Sequence, residues 1–128
     1  MQGIKESLNL LGSALSIRGR RNEIIASNIA NAATPHFKAR DIDFNTEISR
    51  FQSSGPMKTT HEAHIPIKKA VAPGKVQYRE NLNPSIDGNT VELAVEQLEF
   101  SENAMRYQST LQFLSGRIST LMSAIKGE

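Results

Sequence analysis

The chain contains no cysteine, which excludes disulfides, thiolate metal sites and cysteine nucleophiles. That suits a protein passing from a reducing to an oxidising compartment. It also has no tryptophan, and aromatics make up only 5% of its residues. With 38% hydrophobic residues in 128, the chain has thin filling for a self-sufficient core but ample material for narrow helical seams. No run approaches the ~20 apolar residues of a membrane span, so no direct membrane insertion is expected. The stretch Met1 to Arg18 lacks the basic start, apolar stretch and small-residue cleavage site of a secretory signal. Export, if it occurs, is expected through a pathway that cleaves no signal. The excess of one charge sign is also small, at +2 from 15 basic and 13 acidic residues. No nucleic acid partner is expected from so even a balance. The one basic cluster, Arg18, Arg20 and Arg21, reads as a solvated helix face, with an acidic protein partner or a polyanion as the sharper readings.

What the chain does have is two long heptad stripes. Ile4, Leu8, Leu11, Leu15, Arg18, Asn22, Ile25, Ile29 and Ala32 alternate spacings of four and three, the spacing of a coiled-coil seam. This predicts an N-terminal helix over 1–33. Pro35 stops it, because the residue before proline is pushed out of the α region. Gly12 and Gly19 weaken it by about 1 kcal/mol each relative to alanine. The second stripe is Leu93, Gln97, Phe100, Ala104, Tyr107, Leu111, Leu114, Ile118, Leu121 and Ile125. It predicts a C-terminal helix over 90–128, with Asn89 and Glu92 as a capping box. Leu8, Leu11, Leu15, Ile25, Ile29, Phe100, Tyr107, Leu111, Leu114, Ile118, Leu121 and Ile125 form the candidate assembly seam. Periodicity leaves two arrangements open: a hairpin closed on itself, or stripes that dock both to each other and to neighbouring copies. Helices whose stripes lack partners gain little from propensity alone. Weak amide protection is therefore expected over 1–32 and 90–128 in the isolated chain.

The middle segment, 34–89, carries no long period. Asp43 can cap a short helix over 43–52, with Phe44, Ile48 and Phe51 at helical spacing. A polar loop follows over 53–75, expected to tolerate substitution. A short strand is placed near 76–78. The fold class is mainly α: two long terminal helices pairing in a coiled-coil-like arrangement around a largely irregular middle segment. Together they are read as one structural unit completed by assembly.

Chemistry is sparse. His61 and His64 stand three apart in a loop, where a metalloprotease helix needs histidines four apart on one face. Asp41, Asp43 and Asn45 begin like a calcium loop, but Thr46 and Gln52 occupy its required Gly and Glu positions. There is neither a phosphate-cradling glycine loop nor a nucleophile elbow. No metal, cofactor or catalytic residue is expected, and the chain is read as not an enzyme. The competing classes are a structural subunit and a stand-alone secreted helical binding module or export chaperone.

Two motifs decide between these classes. The run Asn28-Ile29-Ala30-Asn31-Ala32-Ala33-Thr34-Pro35-His36-Phe37-Lys38-Ala39-Arg40 resembles the A-N-I-A-N-x-x-T-P-G-Y-K-A-R signature of bacterial flagellar axial proteins, the rod and hook group. Asp41-Ile42-Asp43-Phe44 resembles its continuation in one proximal rod protein, with a sister proximal rod protein that shares the A-N-I-A-N and D-G-N-x-V elements as the alternative. Tyr78-Arg79 and Pro84-Ser85-Ile86-Asp87-Gly88-Asn89-Thr90-Val91-Glu92 resemble the second signature of the first of these proximal rod proteins, and Met105-Arg106-Tyr107-Gln108 fits the style of the family. The family motif residues are thus Asn28, Ile29, Ala30, Asn31, Thr34, Pro35, Phe37, Arg40, Asp43, Phe44, Asp87, Gly88, Asn89 and Val91. His36 replaces the family Gly, which would permit a positive φ. Phe37 replaces Tyr and loses its hydroxyl.

The resemblance implies a structural subunit of the proximal rod, exported unfolded through the flagellar type III apparatus into the basal body in the periplasm. It implies helical stacking through the terminal helices, torque transmission and a share in the wall of the export channel. The implied partners are other copies of the chain, other rod proteins, the adaptor FliE, the membrane-anchored ring and the export gate.

Overall fold

A computed structural model describes residues 2–53, 74–80 and 85–127. Helix α1 spans Gln2–Ala30, strand β1 Arg40–Asp41, helix α2 Phe44–Ser53, strand β2 Gln77–Tyr78 and helix α3 Leu93–Lys126. The two long helices form an antiparallel hairpin, joined face to face from Leu8 beside Leu121 to Asn28 beside Glu96. Most of the predicted 53–75 loop, with His61 and His64, lies outside the described residues.

Both long helices are shorter at the motif end than their periodicity suggests. At Ala30 the α ladder gives way to i→i−3 turns, Ala32 N–H to Ile29 C=O and Thr34 N–H to Asn31 C=O. Helix α3 starts at Leu93 because Thr90 is committed elsewhere. Its N–H donates to Phe37 C=O at 3.0 Å, and its Oγ1 accepts from Ala39 N–H at 2.8 Å. Glu92 is the N-cap and makes no side-chain cap. The expected Asn89–Glu92 capping box does not form, because α3 begins three residues later than the box requires and the Asn89 Oδ1 accepts from Val91 N–H ahead of it.

Helix α2 begins as its sequence dictates. Asp43 Oδ1 accepts from the N–H groups of Asn45 and Thr46, and its Oδ2 from the Thr46 hydroxyl, so first-turn donors that the helix cannot satisfy find a partner. Strands β1 and β2 pair antiparallel, Arg40 opposite Tyr78 and Asp41 opposite Gln77. Gly74, at φ +80°, lies so close to Ile42 that a Cβ would come within 2.6 Å of its Cδ1.

The buried core is small and lies toward the motif end. Ile17, Ile24 and Ile42 form it, with Phe44 and Ile48 packed against them. At the opposite end the helices part around an apolar cleft of about 420 Å³, between Ile4 and Leu8 of α1 and Thr120 and Leu121 of α3. Packing density therefore falls along the hairpin, and local opening follows buried contacts. In place of the uniformly weak protection expected from unpartnered stripes, hydrogen exchange on the dilute subunit is expected to show strongest protection over 17–28 and 96–107, fading over 2–10 and 113–126. Equal protection along both helices would contradict that gradient.

Candidate functional site

The two sequence motifs, some fifty residues apart in the chain, meet at the closed end of the hairpin. Asn89 is buried there, and its Nδ2 lies 3.1, 2.9 and 2.9 Å from the carbonyl oxygens of Asn31, Ala32 and Thr34. These carbonyls belong to the turns just past the end of α1; those of Asn31 and Thr34 also accept from Thr34 N–H and Phe37 N–H, and Asn89 supplies the bond to Ala32. Its Oδ1 accepts from Val91 N–H at 2.8 Å. His36 N–H donates to Asp87 C=O, and Lys38 Nζ donates to Gly88 C=O. Asn31 Nδ2 donates back to Ser27 C=O, and Thr34 Oγ1 to Asn31 Oδ1. Asp87 accepts from Ser85 Oγ and from Asn89 N–H, bonds that lower its pKa in that order of importance. Pro35 and Ala30 are exposed, while Ile29, Phe37 and Val91 are half-buried.

Below this clasp, Asn28 joins three elements. Its amide donates to Arg40 C=O at 2.7 Å and to Glu96 Oε2 at 3.1 Å, and accepts from Arg40 N–H. Glu96 is fully buried and takes Arg79 at 2.9 Å. Arg79 also holds Asp41, which Arg21 grips through two nitrogens at 2.8 Å. Arg21 reaches on to Glu99 at 2.7 Å. Burial pushes the Asp41 carboxyl up, but hydrogen bonds from Arg21, Arg79 and the Ile42 N–H outweigh it and hold its pKa below the ordinary range. The Arg21 guanidinium is raised, chiefly by its hydrogen bond to Asp41 against the opposing effect of burial. This chain of charges ties α1, β1, the residue after β2 and α3 together.

The clasp contains two left-handed residues in contact. His36 has φ 60° and Gly88 φ 73°, and a Cβ on Gly88 would fall 2.9 Å from His36 Nδ1. The family Gly at position 36 thus answers a real backbone requirement that His36 meets at a cost. His36→Gly is expected to stabilise the purified chain by up to about 1 kcal/mol in urea unfolding, and Gly88→Ala to destabilise it by about 1–3 kcal/mol. The Gly88→Ala penalty should shrink in the His36→Gly background, where the clash is gone; equal penalties in both backgrounds would refute the contact.

The candidate seam residues divide between the two faces of the hairpin. Ile25 is buried, and Leu8, Leu11, Leu15, Ile29, Tyr107, Leu114 and Leu121 are half-buried along the α1–α3 contact, while Phe100, Leu111, Ile118 and Ile125 are exposed. The face of α3 turned most directly toward α1 is polar. Glu96 and Asn103, seven residues apart, are its two buried side chains. Asn103 Nδ2 donates to Arg18 C=O and to Asn22 Oδ1, both at 2.8 Å. Gln97, the polar member of the predicted stripe, is exposed. Large apolar side chains thus face outward along α3, with Met105 and Phe113 each 70% exposed and Leu98, Met122 and Ile125 beside them in character. Arg21, Asp41, Arg79, Glu96, Glu99 and Asn103 were not singled out as a group by sequence; the seven-residue spacing of Glu96 and Asn103 was the available signal.

A hairpin of long helices, fastened at one end and apolar on an open face, defines a helical structural subunit built to associate laterally. A family model described as flagella basal body rod protein matches residues 8–38. The chain is 52% identical over 128 residues, covering 100% of both, to the flagellar basal body rod protein FlgB of Cereibacter sphaeroides. It is 47% identical over 118 residues to that of Aeromonas hydrophila, covering 90% of this chain and 89% of the relative. For that of Escherichia coli K12 the identity is 38% over 128 residues, covering 94% and 93%. The chain belongs to the FlgB family of flagellar basal body rod proteins, and it is a structural rod subunit. Nothing in these matches favours the sister rod protein FlgC. Among the described residues no helix is long and apolar enough to cross a membrane, and no three His, Asp or Glu residues are grouped to hold a metal ion.

Proposed function

We propose that the subunit polymerises helically in the proximal rod through the outward faces of α1 and α3, forming part of the export channel wall and transmitting torque. The observation that carries this reading is the exposed apolar face of α3 on a subunit whose own hairpin is already closed. A helix apolar on more than one side is stable when all those sides are covered. Burying such side chains contributes about 1.5–3 kcal/mol each, and many such contacts in parallel give stiffness without chemistry. The role calls for no catalytic step, cofactor or metal. The neighbours are further copies, other rod proteins, FliE, the membrane-anchored ring and the export gate, reached in the periplasm by export without a cleaved signal.

The test is recovery. Epitope-tagged chain should copurify with intact basal bodies, and deletion of its gene should abolish both rod and swimming. Swimming cells with complete rods lacking the chain would overturn the proposal.

A further inference from the structure

The three basic residues of the α1 cluster have different fates. Arg20 pairs weakly with Glu23 at the surface, at 3.9 Å. Arg21 is fully engaged with Asp41 and Glu99. The Arg18 side chain has no hydrogen-bonding partner among the described residues, and its Nε is buried. Its guanidinium lies 4.0 Å from the centre of the Phe44 ring. The ring covers one face of the cation, but the N–H groups lie in the guanidinium plane and a ring face satisfies none of them. Burial, Arg106 and Arg21, in that order, depress its pKa, and Glu102 only partly opposes them.

This guanidinium lines a polar cleft of about 400 Å³ between α1, α3, the β1–β2 pair and the start of α2, with Arg21, Arg79 and Arg106 on its wall against the two carboxylates of Asp41 and Asp43. Of the four arginines on this cleft, Arg21 and Arg79 are paired with Asp41, Arg106 has an exposed partner in Glu102, and Arg18 has none. The unpaired buried Nε destabilises the lone subunit, and so does the like-charge neighbour, which a carboxylate in the cleft bonding to the accessible end of the Arg18 guanidinium would relieve.

We infer that the Arg18–Arg106 cleft is a socket for a carboxylate side chain of a second copy of this chain, an inference that rests on the rod reading. Charge complementarity supports that occupant. Glu6, Glu80 and Glu92 are carboxylates for which no partner is found among the described residues. In a homopolymer each copy presents both socket and carboxylate, so a charge exchange within one chain restores the contact between copies.

Arg18→Met keeps the aliphatic stem against Phe44 and removes the charge. It is expected to raise the melting temperature of the purified full-length subunit by a few degrees, yet reduce its recovery in basal bodies at least tenfold. A lowered melting temperature with normal recovery would show the charge to be structural and overturn the socket. Arg18→Glu should abolish swimming, and one of Glu6→Arg, Glu80→Arg or Glu92→Arg in the same chain should restore it. Rescue by none of the three, or only by a substitution in a different rod protein, would overturn the second-copy assignment. Deletion and recovery of the wild-type chain test the rod reading separately.

Discussion

Cells carrying Phe113→Asp are expected to make and export the subunit normally and to stop swimming, with the variant missing from purified basal bodies. Phe113 is 70% exposed in the subunit, so a carboxylate there meets water and changes folding by no more than about 0.5 kcal/mol. In a tube of packed helices the same carboxylate is buried without a partner, which is strongly disfavoured. Leu114→Asp differs by one residue and separates two effects. Leu114 is half-buried toward α1, so its charge weakens the hairpin and assembly together. Circular dichroism melting of the purified variants should therefore show Phe113→Asp close to wild type and Leu114→Asp clearly lowered, with neither supporting motility. Ser119→Asp, exposed on another side of α3, should cost far less. Normal swimming with Phe113→Asp and a complete rod would mean that the outward apolar face is not an assembly surface.

These faces also mark the limit of what periodicity reveals. Alternation of four and three identified both long helices and the most apolar stripe of each. It did not identify which side of α3 meets α1, because that side is chosen by polar groups. Asn103 reaches Asn22 and the Arg18 carbonyl, and Glu96 reaches Asn28 and Arg79. Both Glu96 oxygens are paired, and Asn103 is held through its Nδ2 with its Oδ1 buried and unpaired among the described residues; a buried polar column is tolerated when most of its hydrogen bonds are made, and turning it inward leaves apolar side chains outward for neighbours. The motif residues were legible one by one, but their contact was not. In the sequence Asn89 reads as the N-cap of α3; the fold puts Glu92 there and shows the Asn89 amide closing the end of α1. The cap at Asp43 was legible because it is local. The β1–β2 pairing was not, since two-residue strands carry no alternation and their partners lie 36 or more residues apart.

Arg79→Ala is expected to destabilise the subunit by about 3 kcal/mol, more than any other single truncation at the clasp. Arg79 is the only cation on Glu96 among the described residues, and Glu96 is fully buried. Removing one partner of a buried pair leaves an uncompensated charge, a loss of about 3–5 kcal/mol. The lower end applies because the Arg79 side chain keeps 25% of its surface in water. The total stability of a domain is about 5–15 kcal/mol, so this one contact decides whether β1, β2 and α3 stay joined. Glu96→Gln made in the Arg79→Ala background should recover more than half of the loss. The glutamine oxygen still accepts from Asn28 and no longer needs a cation, so a double-mutant cycle reads the pairing directly. Acid provides an independent axis. Asp41 has a depressed folded pKa, so its contribution is present above its unfolded pKa of about 3.9 and lost as pH falls through the folded value. Arg79→Ala removes one of the hydrogen bonds that depress it and should make the acid limb of stability below about pH 4 shallower. Urea unfolding at neutral pH and at pH 3 measures both. A loss under 0.5 kcal/mol at neutral pH, with no coupling to Glu96, would show that the charge network does not hold the hairpin's closed end together.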